Sequence, residues 1–123
     1  MIDIYASPYY QGHPDAKHFN LNDKYKEIIR LHEMLEENDI PHVIRRWMDG
    51  WMVCYPVARP LENCVMDAIE MTGSYGAGED KLEIQGLLTP EEEERDSIAG
   101  YLTAENVFER IKKHWNTQLE SDS

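Results

Sequence analysis

Two apolar-rich runs meet at Asp49-Gly50 inside the stretch Ile40 to Pro56, IPHVIRRWMDGWMVCYP, and that juncture limits the folds open to the chain. Asp-Gly between alternating hydrophobic residues is among the strongest short-range signals for a two-residue hairpin turn. A type I′ turn there pairs Met48 with Trp51, Arg46 with Val53 and Ile44 with Tyr55. The period of two then puts Ile44, Arg46, Met48, Trp51, Val53 and Tyr55 on one face. Val43, Arg45, Trp47, Met52 and Cys54 fall on the other. Both faces are largely apolar, so helices are expected over one and a second sheet or subunit over the other. Two arginines beside two tryptophans are unusual equipment for a purely structural hairpin.

The chain ahead of this hairpin divides into an arm and a helix. Residues 1–20 read as an irregular arm with a short extended piece at Ile2 to Tyr5, and Tyr5, Tyr9 and Tyr10 make it aromatic enough to pack on something. His13, Asp15 and His18 match no metal-site spacing and read as a surface loop. Asn22 is placed to cap a helix running to about Glu37, with Asp23 in its first turn. Leu21, Tyr25, Ile28, His32 and Leu35 form its stripe, and Ile29, Leu31 and Met34 widen it beyond one face. A short helix so broadly apolar is expected to pack on two surfaces, its own sheet and a partner subunit. Arg30 projects from it, and by itself reads as an exposed residue. Asn38-Asp39 and Ile40-Pro41 stop the helix.

Beyond the hairpin, Tyr55-Pro56 and Arg59-Pro60 make a loop. Cys64 to Met71 is expected as a third strand, with Val65, Ile69 and Met71 facing one way. Thr72 to Asp80, TGSYGAGED, is a glycine-rich connection. It makes neither the dinucleotide fingerprint nor a P-loop. A plain hairpin connection is the default. The functional alternative is a backbone nest at Gly76 meeting phosphate, with Tyr75 stacked on a base. Lys81 to Leu88 is expected as a strand with a bulge at Gly86, and Ser97 to Leu102 as its partner. Thr89-Pro90 and the glutamates after it form a capped, solvated helical turn. Thr103 caps a last helix whose stripe is Val107, Phe108, Ile111 and Trp115, with Arg110 at its margin and a fraying tail from Asn116. The predicted fold is α+β: an antiparallel sheet of about four to five strands with an N-terminal and a C-terminal helix packed on it. Residues 21–116 make one domain, with 117–123 a polar tail.

Composition narrows the function. A chain of 123 residues buries one modest core. It has no apolar run long enough for a bilayer and no basic-then-apolar leader, so a cytoplasmic protein without membrane contact is expected. Cys54 and Cys64 are expected as buried thiols, and neither has a neighbour at metal-site spacing. The net charge of −12 repels nucleic-acid polymers. It leaves room for a small anion held in a local nest of arginines, or for a DNA-mimic role.

Catalytic groups are poorly supplied. There is no G-x-S-x-G elbow, the carboxylate pairs merely reflect an acidic chain, and His42 at a strand entrance reads as structural. No enzyme, metal or cofactor is expected. What stands out is six arginines among 12 basic residues. Arg45, Arg46 and Arg59 flank the hairpin, and Arg30 and Arg110 lie on the helices that should cover it, so several guanidinium groups are expected to converge on one cleft. Trp47, Trp51, Tyr55 and Tyr75 would wall it. Core aromatics with surface arginines are the alternative.

The succession of a helix, IPHVIRRWMDGWMVCYP, GSYGAGEDKLEIQGLLT and GYLTAENVFERI resembles the phage Thoeris anti-defence proteins of the first type, over most of residues 22–115. The resemblance implies a sponge that binds glycocyclic ADP-ribose signals of bacterial TIR-domain defence enzymes without cleaving them. It implies a homo-oligomer, a dimer or an assembly of dimers, in the host bacterial cytoplasm, with sites between subunits. Some members also sequester cyclic oligonucleotides at separate sites. By position the resemblance matches the family's arginines to Arg30, Arg59 and Arg110. The rival reading is an acidic phage interaction protein, a DNA mimic or an inhibitor of a host enzyme.

Overall fold

The computed structural model describes residues 4–12 and 25–121, with only the backbone of Tyr5. The expectations for Ile2, His13, Asp15, His18, Leu21, Asn22 and Asp23 lie outside the described residues. Helix α1 (Glu27–Glu37) leads into strands β1 (Val43–Trp47), β2 (Gly50–Tyr55), β3 (Met66–Glu70) and β4 (Leu82–Gln85). The short helix α2 (Pro90–Arg95), strand β5 (Ile98–Leu102) and helix α3 (Ala104–Ser121) follow. The five strands form one antiparallel meander in the order β1-β2-β3-β4-β5. This is the α+β fold that the sequence predicts.

One face of the sheet, with Ile44, Trp51, Val53, Ala68, Leu82 and Ile84, is sealed by Ile28, Leu31 and Leu35 of α1 and by Val107 and Ile111 of α3. Each such aliphatic side chain contributes roughly 1.5–3 kcal/mol on burial. Of Val65, Ile69 and Met71 only Ile69 lies within β3, and the core takes its opposite parity, Met66, Ala68 and Glu70, with Val65 just before the strand packed against that core.

The hairpin forms with a different register. Trp47 pairs with Gly50 and Arg46 with Trp51, so the turn residues are Met48 and Asp49 rather than Asp49 and Gly50. Sliding one strand by two residues keeps every side chain on its expected face. Two contacts select this register. The Asp49 carboxylate accepts from the Thr72 amide at 2.9 Å and from the Thr72 hydroxyl. Gly50 lies inside the strand against β3, where a Cβ would sit 1.9 Å from the Glu70 carbonyl oxygen. The glycine serves close strand approach, and Met48 takes the positive φ of 55°.

Helix α1 begins at Glu27, later than Asn22. Its cap comes from across the fold: Glu70 Oε1 accepts from the amides of Glu27 at 3.0 Å and Ile28 at 3.1 Å. Within the arm, residues 4–12 make defined contacts. After a single 3-10 turn at Ile4–Ala6, Tyr9 O accepts from the Ile44 amide and Gln11 N donates to Ile44 O, both at 2.9 Å, covering the free edge of β1. The bulge lies on β5 rather than at Gly86: Leu82 pairs with Leu102 but Ile84 with Ala99, which leaves Gly100 and Tyr101 opposite Glu83. Gly86, at φ 95°, lies just past the end of β4, where a Cβ would meet the Val65 carbonyl at 2.3 Å. Local signals at the later caps hold. Thr89 and Glu92 make a reciprocal capping box with Pro90 in the first turn, and Thr103 Oγ1 accepts from the Asn106 amide at 3.1 Å. Helix α3 continues through the expected tail to Ser121, with Thr117 and Ser121 hydroxyls bonded back to carbonyls one turn earlier.

Burial is the main cause that raises the Glu70 carboxyl above its ordinary value, and the two amides it caps oppose the shift. A carboxyl whose folded pKa is raised lends stability below the unfolded value of 4.5, lost as pH climbs through the folded one. Glu70→Gln, neutral throughout, is therefore expected to gain on the wild type in urea midpoint between pH 4 and pH 8. An unchanged gap would contradict this. Glu70→Ala, which removes the cap, is expected to cost about 1–2 kcal/mol at either pH.

Candidate functional site

The meander sorts the residues of interest into two ends of the sheet. At one, here the turn end, lie the β1–β2 turn, the β3–β4 connection and the starts of α1 and α3. At the other lie the connections β2–β3 and β4–β5. A five-residue strand separates them by roughly 17 Å.

Arg30, Arg46, Trp47, Tyr75 and Gly76 belong to the turn end. Arg30 leaves the first turn of α1 and pairs with Glu27 at 3.3 Å and with Glu105 of α3, its side chain half exposed. Arg46 lies over the buried Trp51, its guanidinium carbon 3.8 Å from the ring centroid. Arg45, on the opposite face, lies 5.9 Å from the ring of Trp47. The Tyr75 amide donates to Glu83 Oε1 at 3.0 Å, and the Tyr75 carbonyl accepts from the Tyr101 amide at 3.1 Å. Gly76 turns the chain at φ 105°, its carbonyl accepting from the amides of Glu79 and Lys81. These bonds fix the loop and leave the Tyr75 and Tyr101 rings 52% and 57% exposed.

Beside the loop an open cleft of about 460 Å³ is lined by Tyr25, Thr72, Gly73, Ala77, Gly78 and Asp80. No arginine lines it. Tyr25, expected only as part of the helical stripe, is a wall here, its hydroxyl 2.8 Å from Thr72 Oγ1 and 3.4 Å from Asp49 Oδ2.

Arg59 and Arg110 belong to the opposite end. Arg59 is exposed in the loop between Pro56 and Pro60. Arg110 is consumed locally: Nε donates to Asn106 Oδ1 at 2.8 Å and Nη1 to the Leu87 carbonyl at 3.0 Å. Its two terminal nitrogens grip Glu92 at 2.7 and 3.0 Å. This fork holds the Glu92 carboxyl down at about 2. The expected convergence of guanidinium groups on one cleft is thus not found within a single chain. Sequence order hid this, because Arg30 and Arg110 sit at different depths of helices that both start at the turn end.

The histidines form a cluster that sequence reasoning treated singly. His32 and His42 are buried, with His32 Nδ1 2.8 Å from His42 Nε2 and His42 Nδ1 2.7 Å from the Ile40 carbonyl. Tyr9 stacks on His42 at 4.3 Å between ring centroids. Burial pushes both imidazoles down to about 4, so both are neutral at pH 7. The carbonyl then fixes the proton of His42 on Nδ1, and His32 donates from its own Nδ1. In this tautomer His32 Nε2 carries no proton and makes no hydrogen bond, although Glu36 Oε2 lies 3.1 Å away. The cluster ties the arm to α1 and β1 and offers no open nucleophile. Cys54 and Cys64 are free thiols, the first buried and pushed up to about 12 mainly by that burial. Among the described residues no group of three or more His, Cys, Asp or Glu is placed to hold a metal ion. Among the same residues no helix is long and apolar enough to cross a membrane.

Compared with protein-family models, curated proteins and solved structures, the chain matches none.

Two outcomes follow from these contacts. Arg110→Ala is expected to lower unfolding free energy by about 1.5–3 kcal/mol, since it removes a bidentate charged pair and a carbonyl contact. Chemical denaturation reads this, and an unshifted midpoint would contradict it. The histidine pair titrates with the opposite sign to Glu70. Its folded values lie below the ordinary 6.5, so its contribution is complete above that pH and declines as pH falls toward 4. His42→Gln is expected to flatten that decline, measured as urea midpoint against pH.

Proposed function

We propose that the chain binds a flat, anionic nucleotide of the cyclic ADP-ribose type at its turn end and sequesters it intact. This is the activity implied by the resemblance to the Thoeris anti-defence sponges, acting in a host bacterial cytoplasm. The observation that carries the reading is the pair of exposed tyrosines, Tyr75 and Tyr101, whose backbones are joined by one hydrogen bond, Tyr101 N to the Tyr75 carbonyl. Stacking on an aromatic ring is worth about 1–3 kcal/mol per base, and a tyrosine has only two side-chain torsions to fix on binding.

Arg30 is a half-exposed cation at the same end, and the half-exposed carboxylate of Glu105 that holds it is one a phosphate would have to displace. Arg59 and Arg110 stand at the far end of the sheet and reach the same ligand only from a neighbouring copy. A sponge must hold free signal below an effector's threshold, and a low-nanomolar Kd corresponds to about −12 kcal/mol. Two stacked rings fall well short of that, so enclosure by a second copy is part of the proposal.

The acidic interaction protein stays as a second reading because of α2. The capping box and the Arg110–Glu92 fork fix this helix, and it presents Glu91, Glu93 and Glu94 to solvent.

Mixing the protein with cyclic ADP-ribose, removing free ligand and heating the complex separates the readings. A sponge depletes the signal and returns it unchanged. Tyr75→Ala is expected to weaken retention at least tenfold without loss of the fold. Cleaved product, no depletion, or full retention by that variant would overturn the proposal.

A further inference from the structure

The two helices leave the second sheet face, which carries Arg45, Trp47, Met52, Ile69 and Glu83, each half-buried, while Val43 and Cys54 at its far end are buried. The register aligns four of them in one row: Arg45 opposite Met52, Met52 opposite Ile69, Ile69 opposite Glu83. Across the strands that row reads cation, apolar, apolar, anion. Toward the turn end it is flanked by Trp47 on β1 and by Lys81 just before β4.

Such a row is complementary to itself. A two-fold axis parallel to the strands, between β2 and β3, lays Glu83 of a second copy over Arg45 and Ile69 over Met52, and does the same in return. Lys81 of the second copy then approaches the Trp47 ring. A two-fold running across the strands would instead set Arg45 against Arg45. Aligned stacking is the ordinary geometry of two sheets, about 10 Å apart with strands inclined by about 30°.

The edges of the sheet point the same way. Residues 9–11 bond to the free edge of β1, and the Tyr75 loop bonds to β5 at its bulge, so extension in the plane of the sheet is hindered at both sides. The face also sets two acids close together, with Lys81 as the nearest cation along β4. Asp67 is raised above its ordinary value first by burial and then by Glu83. Arg45 is three strands from Glu83, roughly 14 Å at the usual strand spacing, and cannot neutralise it within one chain.

We propose that this open face is a homodimer surface, two copies stacking sheet on sheet through reciprocal Arg45–Glu83 pairs around Met52, Ile69 and Trp47. The two-fold keeps the turn ends side by side, so a contact that brings Arg59 to Tyr75 is a separate one. The dimer therefore stands or falls independently of the nucleotide reading.

Sedimentation of the full chain at micromolar concentrations tests it. Wild type is expected as a dimer. Arg45→Glu and Glu83→Arg each set like charges against each other and are expected to weaken association at least tenfold. The double variant R45E/E83R is expected to restore it. Because the two positions do not meet within a chain, such rescue arises only between chains, and circular dichroism of each variant checks the fold. A monomeric wild type, as when another segment or partner covers this face, overturns the proposal. So does a dimer indifferent to the single changes, or a double variant no tighter than the singles.

Discussion

A buried carboxylate on the central strand holds the first helix by its first two amides, and much of the molecule is placed by that contact. The N-terminal amides of a helix lack partners within it, and a carboxylate there also meets the positive end of the helix dipole. Glu70 supplies both from the last position of β3. Its second oxygen has no partner among the described residues, and the cost of burying the group appears as its raised pKa. Anchoring α1 at this point lays Ile28, Leu31 and Leu35 over the sheet. It sets Arg30 against the start of α3 and carries His32 to His42.

Charge in this acidic chain is spent on joining elements. Arg30 links α1 to α3, and Arg110 links α3 to α2 and to the end of β4. Asp49 links the β1–β2 turn to the β3–β4 connection. A side chain that makes several charge-assisted bonds within its own fold is a poor donor to a ligand, because the bonds must be exchanged rather than added. That is the physical reason to look for a nucleotide site at the exposed tyrosines and at contacts between copies, rather than among the arginines of one chain.

The proposed nucleotide site centres on the glycine-rich connection. Its backbone is held by Glu83 from the neighbouring strand and by the bulge on β5, with the Tyr75 side chain half exposed. Tyr101, which carries the second ring, has no signal of its own in the sequence. The extra residue in β5 comes with a positive φ of 59° at Tyr101, whose amide donates to the Tyr75 carbonyl.

The sequence by itself determined the order and type of the elements, the faces of the hairpin, the capping box at Thr89, the cap at Thr103 and the apolar stripe of α3. These depend on periodicity and on contacts a few residues apart. Tertiary structure decided the hairpin register, the true start of α1, the place of the bulge and the separation of Arg30 from Arg59 and Arg110. Each of these turns on which distant partner a group finds: Gly50 against Glu70, Glu70 beneath Glu27, Asp49 on Thr72, Arg110 on Glu92. A local pattern states that a donor, an acceptor or a tight approach is present, and only the folded chain chooses what it meets.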